Sequence, residues 1–112
     1  MRRYSPPHPG AKGWLCGPWN SRLQLSIGYA NQGVDEPHLH SRIHEVYLVL
    51  SGSAIAVVDD REILLGEGDV LVVEPGEGHT FISSSPDYFH FVLHTPTPTE
   101  GDKHPVTPTP LD

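Results

Sequence analysis

The chain has 112 residues, with 14 acidic and 7 basic side chains, 12 prolines, 8 histidines and one cysteine. That length holds one domain, a lone cysteine forbids an intramolecular disulfide, and a net charge of −7 excludes the basic stripe of a nucleic-acid binder. Apolar runs of about five residues fall far short of the roughly 20 that span a bilayer. Residues 4–10 are polar and proline-rich where a signal peptide would carry its apolar stretch, so a cytoplasmic protein is expected.

In chain order, residues 1–20 are turn-rich but carry Trp14, Leu15 and Trp19. They read as an N-terminal extension packed on the domain or on a partner subunit. Residues 23–29 alternate apolar and polar, the period of a half-buried strand. Residues 46–50 are β-branched and aromatic and stop at Ser51-Gly52. Residues 54–58 run into Asp59-Asp60, and residues 61–65 follow. Two aspartates between two apolar runs predict a tight hairpin, because Asp tolerates left-handed backbone. Residues 70–73 lie between Gly68-Asp69 and Pro75-Gly76, and residues 80–82 and 88–93 complete the strand set. Residues 96–112 are rich in Pro and Thr and have almost no apolar groups. They read as an extended or flexible tail, a tail strapped along the barrel being the alternative. No stretch holds a helical period for three turns. Seven or eight short strands at intervals of about 8–12 residues predict an all-β sandwich or barrel, one domain over residues 1–95.

The histidines carry the chemistry. His38 and His40, at i and i+2, share one face of a strand. Glu45 opens the next strand after a short turn, and His79 opens a later one. Three imidazoles and a carboxylate suit a first-row divalent metal and leave two positions of an octahedral ion open. His44 is adjacent to Glu45, so the two cannot both point inward, and His44 reads as a rim residue. By the same parity Tyr47 and Phe81 follow Glu45 and His79 inward, and Glu36 can share the face of His38 and His40. Tyr47 and Glu36 are therefore candidates for acid–base or supporting work beside the metal. His90 and His94 lie on the last strand with Tyr88 and Val92, opposite Phe89, Phe91 and Leu93, and either face could line the interior. His8 and His104 fall in the proline-rich ends and read as solvent-facing. Cys16 has no identifiable base beside it and reads as a small packed residue.

Residues 33–52 resemble the first motif of the cupin family: Gly33, a gap, His38-Leu39-His40, four residues, Glu45, six residues, Gly52. The first gap is four residues where the family has five. Residues 68–79 resemble the second motif, with Gly68-Asp69, Pro75-Gly76 and His79 three residues later. Glu74 stands where the family usually has proline, and Ser83 where it often has asparagine; neither is a presumed ligand. Fifteen residues separate Gly52 from Gly68, close to the family's shortest spacing, so the chain is similar to a small single-domain monocupin. The resemblance covers about residues 21–95. It implies a double-stranded β-helix, or jelly-roll barrel. It also implies His38, His40, Glu45 and His79 as ligands of one Mn, Fe, Ni, Co or Zn ion, and a homodimer. The implied function is a mononuclear metalloenzyme acting on a small oxygen-bearing substrate, of dioxygenase, decarboxylase, isomerase or lyase type. The alternative is a non-catalytic binding or sensing module in which the metal serves recognition or structure.

Overall fold

The computed structural model describes residues 1–7, 11–32 and 36–106, so Gly33 of the first motif, His8 and the end of the tail lie outside the described residues. Among these the chain is all-β, with ten strands. They are β1 (Lys12–Cys16), β2 (Ser26–Ala30), β3 (His38–His40), β4 (His44–Ser51), β5 (Ser53–Val58), β6 (Arg61–Gly66), β7 (Val70–Val73), β8 (His79–Ser84), β9 (Phe89–Thr95) and β10 (Lys103–Pro105). Two five-stranded antiparallel sheets form, in the orders β1-β2-β9-β4-β7 and β10-β3-β8-β5-β6. No described helix is long and apolar enough to cross a membrane.

Alternation along each strand decides what faces inward. On β4, Glu45, Tyr47 and Val49 are buried, while His44 is exposed and Val46 and Leu48 are only partly covered. On β8, His79 and Phe81 are buried and Ile82 is exposed. The two sheets thus enclose one interior that changes character along its length. One end is an apolar core of Val49, Ala54, Ala56, Leu65, Val73 and their neighbours; the other is polar and holds Glu45 and the histidines. Tyr47 and Phe81 stand at the boundary, their rings 5.0 Å apart.

Turn chemistry sets the register. Asp59 and Asp60 take positive φ of 45° and 67° between β5 and β6, the pair of left-handed residues a tight hairpin requires. Gly52, at φ 70°, turns β4 into β5 where a Cβ would meet Ser85 Oγ at 2.5 Å and Tyr88 Cα at 2.7 Å. Only glycine satisfies both the backbone and the space there.

Two strands have no alternating signal in the sequence. β1 adds to β2, with Gly13 against the ring of Tyr29. An edge strand gains its ladder hydrogen bonds from a partner already in place and needs no apolar period of its own. The second, β10, lies in the stretch that reads as a free tail. Residues 97–106 instead run along the barrel: Thr97 N–H bonds to Gln24 O at 3.0 Å, Lys103–Pro105 pairs with β3, and Val106 N–H reaches Pro37 O at 3.1 Å. Asp102 is buried among them. Composition underestimates such a segment because one buried carboxylate and backbone pairing, not apolar area, hold it.

Candidate metal centre

Four imidazoles converge on one carboxylate. Glu45, 2% exposed, enters from β4. His38 and His40 come from β3, His79 from β8 and His94 from β9. Nε2 of His40, His38 and His94 lies 2.5, 3.6 and 2.9 Å from Glu45 Oε1, and Nε2 of His79 lies 2.6 Å from Oε2. Tyr47 donates its hydroxyl proton to Oε2 over 2.5 Å. The strand register explains the meeting: His38 pairs with His79 between β3 and β8, and Glu45 pairs with His94 between β4 and β9.

The far side of three rings is pinned. His38 Nδ1–H donates to Glu36 O at 2.8 Å and His79 Nδ1–H to Glu77 O at 3.0 Å. His40 Nδ1–H donates to Asp102 Oδ2 at 2.6 Å, and the other oxygen of Asp102 takes the Arg42 backbone N–H at 2.8 Å. A carbonyl or carboxylate can only accept, so each ring carries its proton on Nδ1 and, when neutral, turns a lone pair from Nε2 toward the centre.

That arrangement tests whether a cation fits. Neutral Nε2 lone pairs and carboxylate oxygens are all acceptors, and acceptors 2.5–2.6 Å apart repel unless a proton or a cation lies among them. Two groupings of ligand atoms lie close enough to share one ion, His38–Glu45–His79 and His40–Glu45–His94. Both use Glu45. His40 Nε2 is buried and makes no hydrogen bond of acceptable geometry despite its approach to Oε1. Nitrogen and carboxylate donors with their second ring nitrogens fixed are what a first-row divalent ion uses. The residues present fit such an ion.

Charge follows the same contacts. Burial would raise the Glu45 carboxyl, but the four imidazoles gathered around it, His38, His40, His79 and His94, outweigh burial and hold the group far below the usual carboxylate range. Burial works to lower His40, and Glu45 and Asp102 override it and raise the ring. Burial alone would lift Asp102; the His40 bond and the Arg42 backbone N–H bring it down. Deeper in, burial pushes His90 down to about 4, against a smaller upward pull from Glu45. Tyr88 meets His90 Nδ1 at 2.5 Å, and burial raises its phenol. A buried hydroxyl with that single partner donates to it, so neutral His90 carries its proton on Nε2.

The structure brings His38 and His79 together at one side of Glu45, and His40, with His94, at the same carboxylate in a second grouping. Tyr47 touches Glu45 directly. The Glu36 side chain is exposed, and its backbone carbonyl meets His38 Nδ1. His44 is exposed, as parity predicts, and so is His104. Cys16 is buried. His90 and His94 both face inward. His94 and Asp102 are the two members that sequence reasoning did not place. His94 needed the knowledge that β9 lies beside β4; Asp102 sits 62 residues from His40.

Beside the cluster lies a cavity of about 710 Å³. His40, Glu45, Tyr47, His90 and His94 line its floor, and Ser26, Gln32 and Thr97 add neutral polar groups to its wall. Trp14 and Trp19 also line it while staying 50% and 56% exposed, so they flank the space rather than fill it.

A two-sheet β-barrel with histidines and a glutamate gathered at one end of its interior is the architecture of a cupin. The family model for the cupin domain matches residues 27–95, and the chain belongs to that family. Among curated proteins it is 37% identical over 60 residues to acireductone dioxygenase of Schizosaccharomyces pombe, covering 49% of this chain and 33% of that one. The chain therefore spans about a third of that relative's length. Among solved structures it resembles Pac13, a nucleoside dehydratase of Streptomyces, with a TM-score of 0.66 at 18% identity over 74% of this chain and 68% of that one. It also resembles KdgF of a Halomonas species, with a TM-score of 0.64 at 21% identity over 85% and 86% of the two chains. At these identities the structural likeness establishes the fold alone.

Proposed function

We propose that the chain is a mononuclear metal-dependent enzyme for a small oxygen-bearing substrate, with His38, His40, Glu45 and His79 as ligands and His94 as a fifth donor. The observation that carries the reading is the set of imidazole Nε2 atoms aimed at one carboxylate while three of the rings are locked from behind. A bound divalent ion supplies Lewis acidity toward a substrate oxygen. The chain's residues do the rest. Asp102 and the carbonyls of Glu36 and Glu77 orient the rings. The Tyr47 hydroxyl donates a hydrogen bond to Glu45 Oε2 and fixes that oxygen. His90, neutral, presents an N–H where its ring borders the cavity. The sheets exclude bulk water from the floor.

The dioxygenase relative and the dehydratase neighbour support enzymatic use of such a site, and the open cavity, with Ser26, Gln32 and Thr97 on its wall, favours it over a plugged recognition module. The alternative, a sensing barrel in which the ion only organises the site, predicts ligand binding without turnover. The deciding experiment is elemental analysis with thermal denaturation. Purified protein should carry close to one equivalent of Mn, Fe, Co, Ni or Zn, or gain several degrees in Tm with one of them. Less than a tenth of an equivalent, with no Tm rise for any ion, overturns the reading.

The lone, buried cysteine suits a reducing compartment such as the cytoplasm. A homodimer would cover the outer face of β4 and β7, where Val46 pairs with Val72 and Leu48 with Val70, and where Val70 and Val72 are 59% and 50% exposed on an edge strand. Light scattering at micromolar concentration should then give twice the chain mass of 12.3 kDa, and the single-chain mass refutes it.

A further inference from the structure

The chain contains two lysines, Lys12 and Lys103, and two tryptophans, Trp14 and Trp19. All four line the cavity beside the metal centre. None of the five arginines does, and among the described acidic side chains only Glu45 contributes to the wall. Glu45 is already surrounded by imidazoles. In a protein of net charge −7, the two ammonium groups give this cavity a cationic mouth.

The placement comes from the fold. Lys12 lies on β1 and Lys103 on β10, the edge strands that begin the two sheets, so each sheet contributes one ammonium group. Both lysines are exposed, and among the described residues neither has a carboxylate within ion-pairing distance. Lysine is a mobile point charge on a long stem, suited to following a small acid group. The tryptophans supply flat apolar faces, and Trp14 also sets its ring edge-on to His94, with centroids 4.7 Å apart. A cavity with a charged mouth, aromatic flanks and hydroxyl and amide groups on its wall selects a ligand with both an anionic and a flat part.

We propose that the substrate is a small organic anion with a planar or ring-bearing body. Its acid group is met by Lys12 and Lys103, its body lies against Trp14 and Trp19, and its oxygen-bearing end reaches the histidine–glutamate cluster. This deepens the enzyme reading and rests on it for the last contact only. The acid group is a carboxylate or a phosphate; both present anionic oxygens to ammonium donors.

The test uses the full chain and its own tryptophan fluorescence, which reports on this cavity alone because both tryptophans border it. Benzoate, phenyl phosphate and neutral benzamide are titrated into chelator-treated and ion-loaded protein at low ionic strength. One or both anions should bind roughly tenfold or more tighter than benzamide, and added salt should erode the difference. The tighter anion identifies the acid group. Lys12→Gln and Lys103→Gln should each weaken the anion, and the double variant should bring it to the level of benzamide, with Tm unchanged. Equal affinity for all three probes, no binding of either anion, or an unaltered anion affinity in the double variant overturns the proposal. Because discrimination is also read without metal, a failure of the lysine clamp and a failure of the metal reading appear in different titrations.

Discussion

His90 offers the sharpest thermodynamic test of the buried polar interior. Its ring is enclosed by Tyr47, Phe81 and Tyr88, and burial brings it down to about 4 from the 6.5 of a free histidine. Above pH 6.5 the group is neutral in both the folded and the unfolded chain and contributes nothing to pH dependence. Below 6.5 the unfolded chain takes the proton and the folded chain does not, so stability falls with decreasing pH until the folded ring also titrates near 4. The full penalty is about 3 kcal/mol, from 1.36 kcal/mol for each pH unit between the two values. His90→Gln keeps an acceptor for the Tyr88 hydroxyl and removes the titration. Urea denaturation of chelator-treated protein at several pH values gives both curves. The wild type should lose about 3 kcal/mol more than the variant between pH 7 and pH 4. Parallel curves over that interval would refute the assignment of His90 as buried and neutral.

Three other substitutions probe separate parts of the argument. Asp102→Asn removes the charged acceptor behind His40 and should weaken the tightest-binding divalent ion about 10- to 100-fold, read by competition with a chromogenic chelator; unchanged affinity refutes the positioning role. Tyr47→Phe keeps the ring against Phe81 but leaves Glu45 Oε2 without its hydroxyl partner, at about 1.5–3 kcal/mol in chemical denaturation of metal-free protein. A change near zero would mean that the 2.5 Å contact does not persist in solution. Gly52→Ala combines a left-handed φ with a collision on Ser85 and Tyr88 and should cost about 2–5 kcal/mol. A cost below 1 kcal/mol would show that the turn rearranges freely.

The parts of this molecule legible in the sequence are those encoded by short-range spacing. His38, His40, Glu45 and His79 sit near strand ends beside turns, where a period of two and a Gly or Pro boundary state which way a side chain points. His94 escapes that logic because both faces of β9 carry large rings. The face with Phe89, Phe91 and Leu93 looks the better candidate for an interior, yet those residues are only half-buried while His90 and His94 are enclosed. Apolar-inside reasoning fails where the interior itself is polar. Asp102 fails for a different reason: its worth lies in one contact made across 62 residues, which no local composition records. The two lysines likewise read as ordinary surface charges until the sheet order brings β1 and β10 to corresponding edges.

The strap that carries Asp102 makes the centre depend on the last described stretch of the chain. Residues 99–106 are fastened by Arg42 Nη1–H to Thr99 Oγ1, Ser41 N–H to Asp102 O and Val106 N–H to Pro37 O, all contacts with the segment that holds His38 and His40. The ladders of β2, β4, β5, β8 and β9 do not include this segment. A cut between β9 and residue 99 would therefore spare those ladders while the His40 ring lost the carboxylate that fixes its orientation. Integrity of the barrel and readiness of its centre are separable properties.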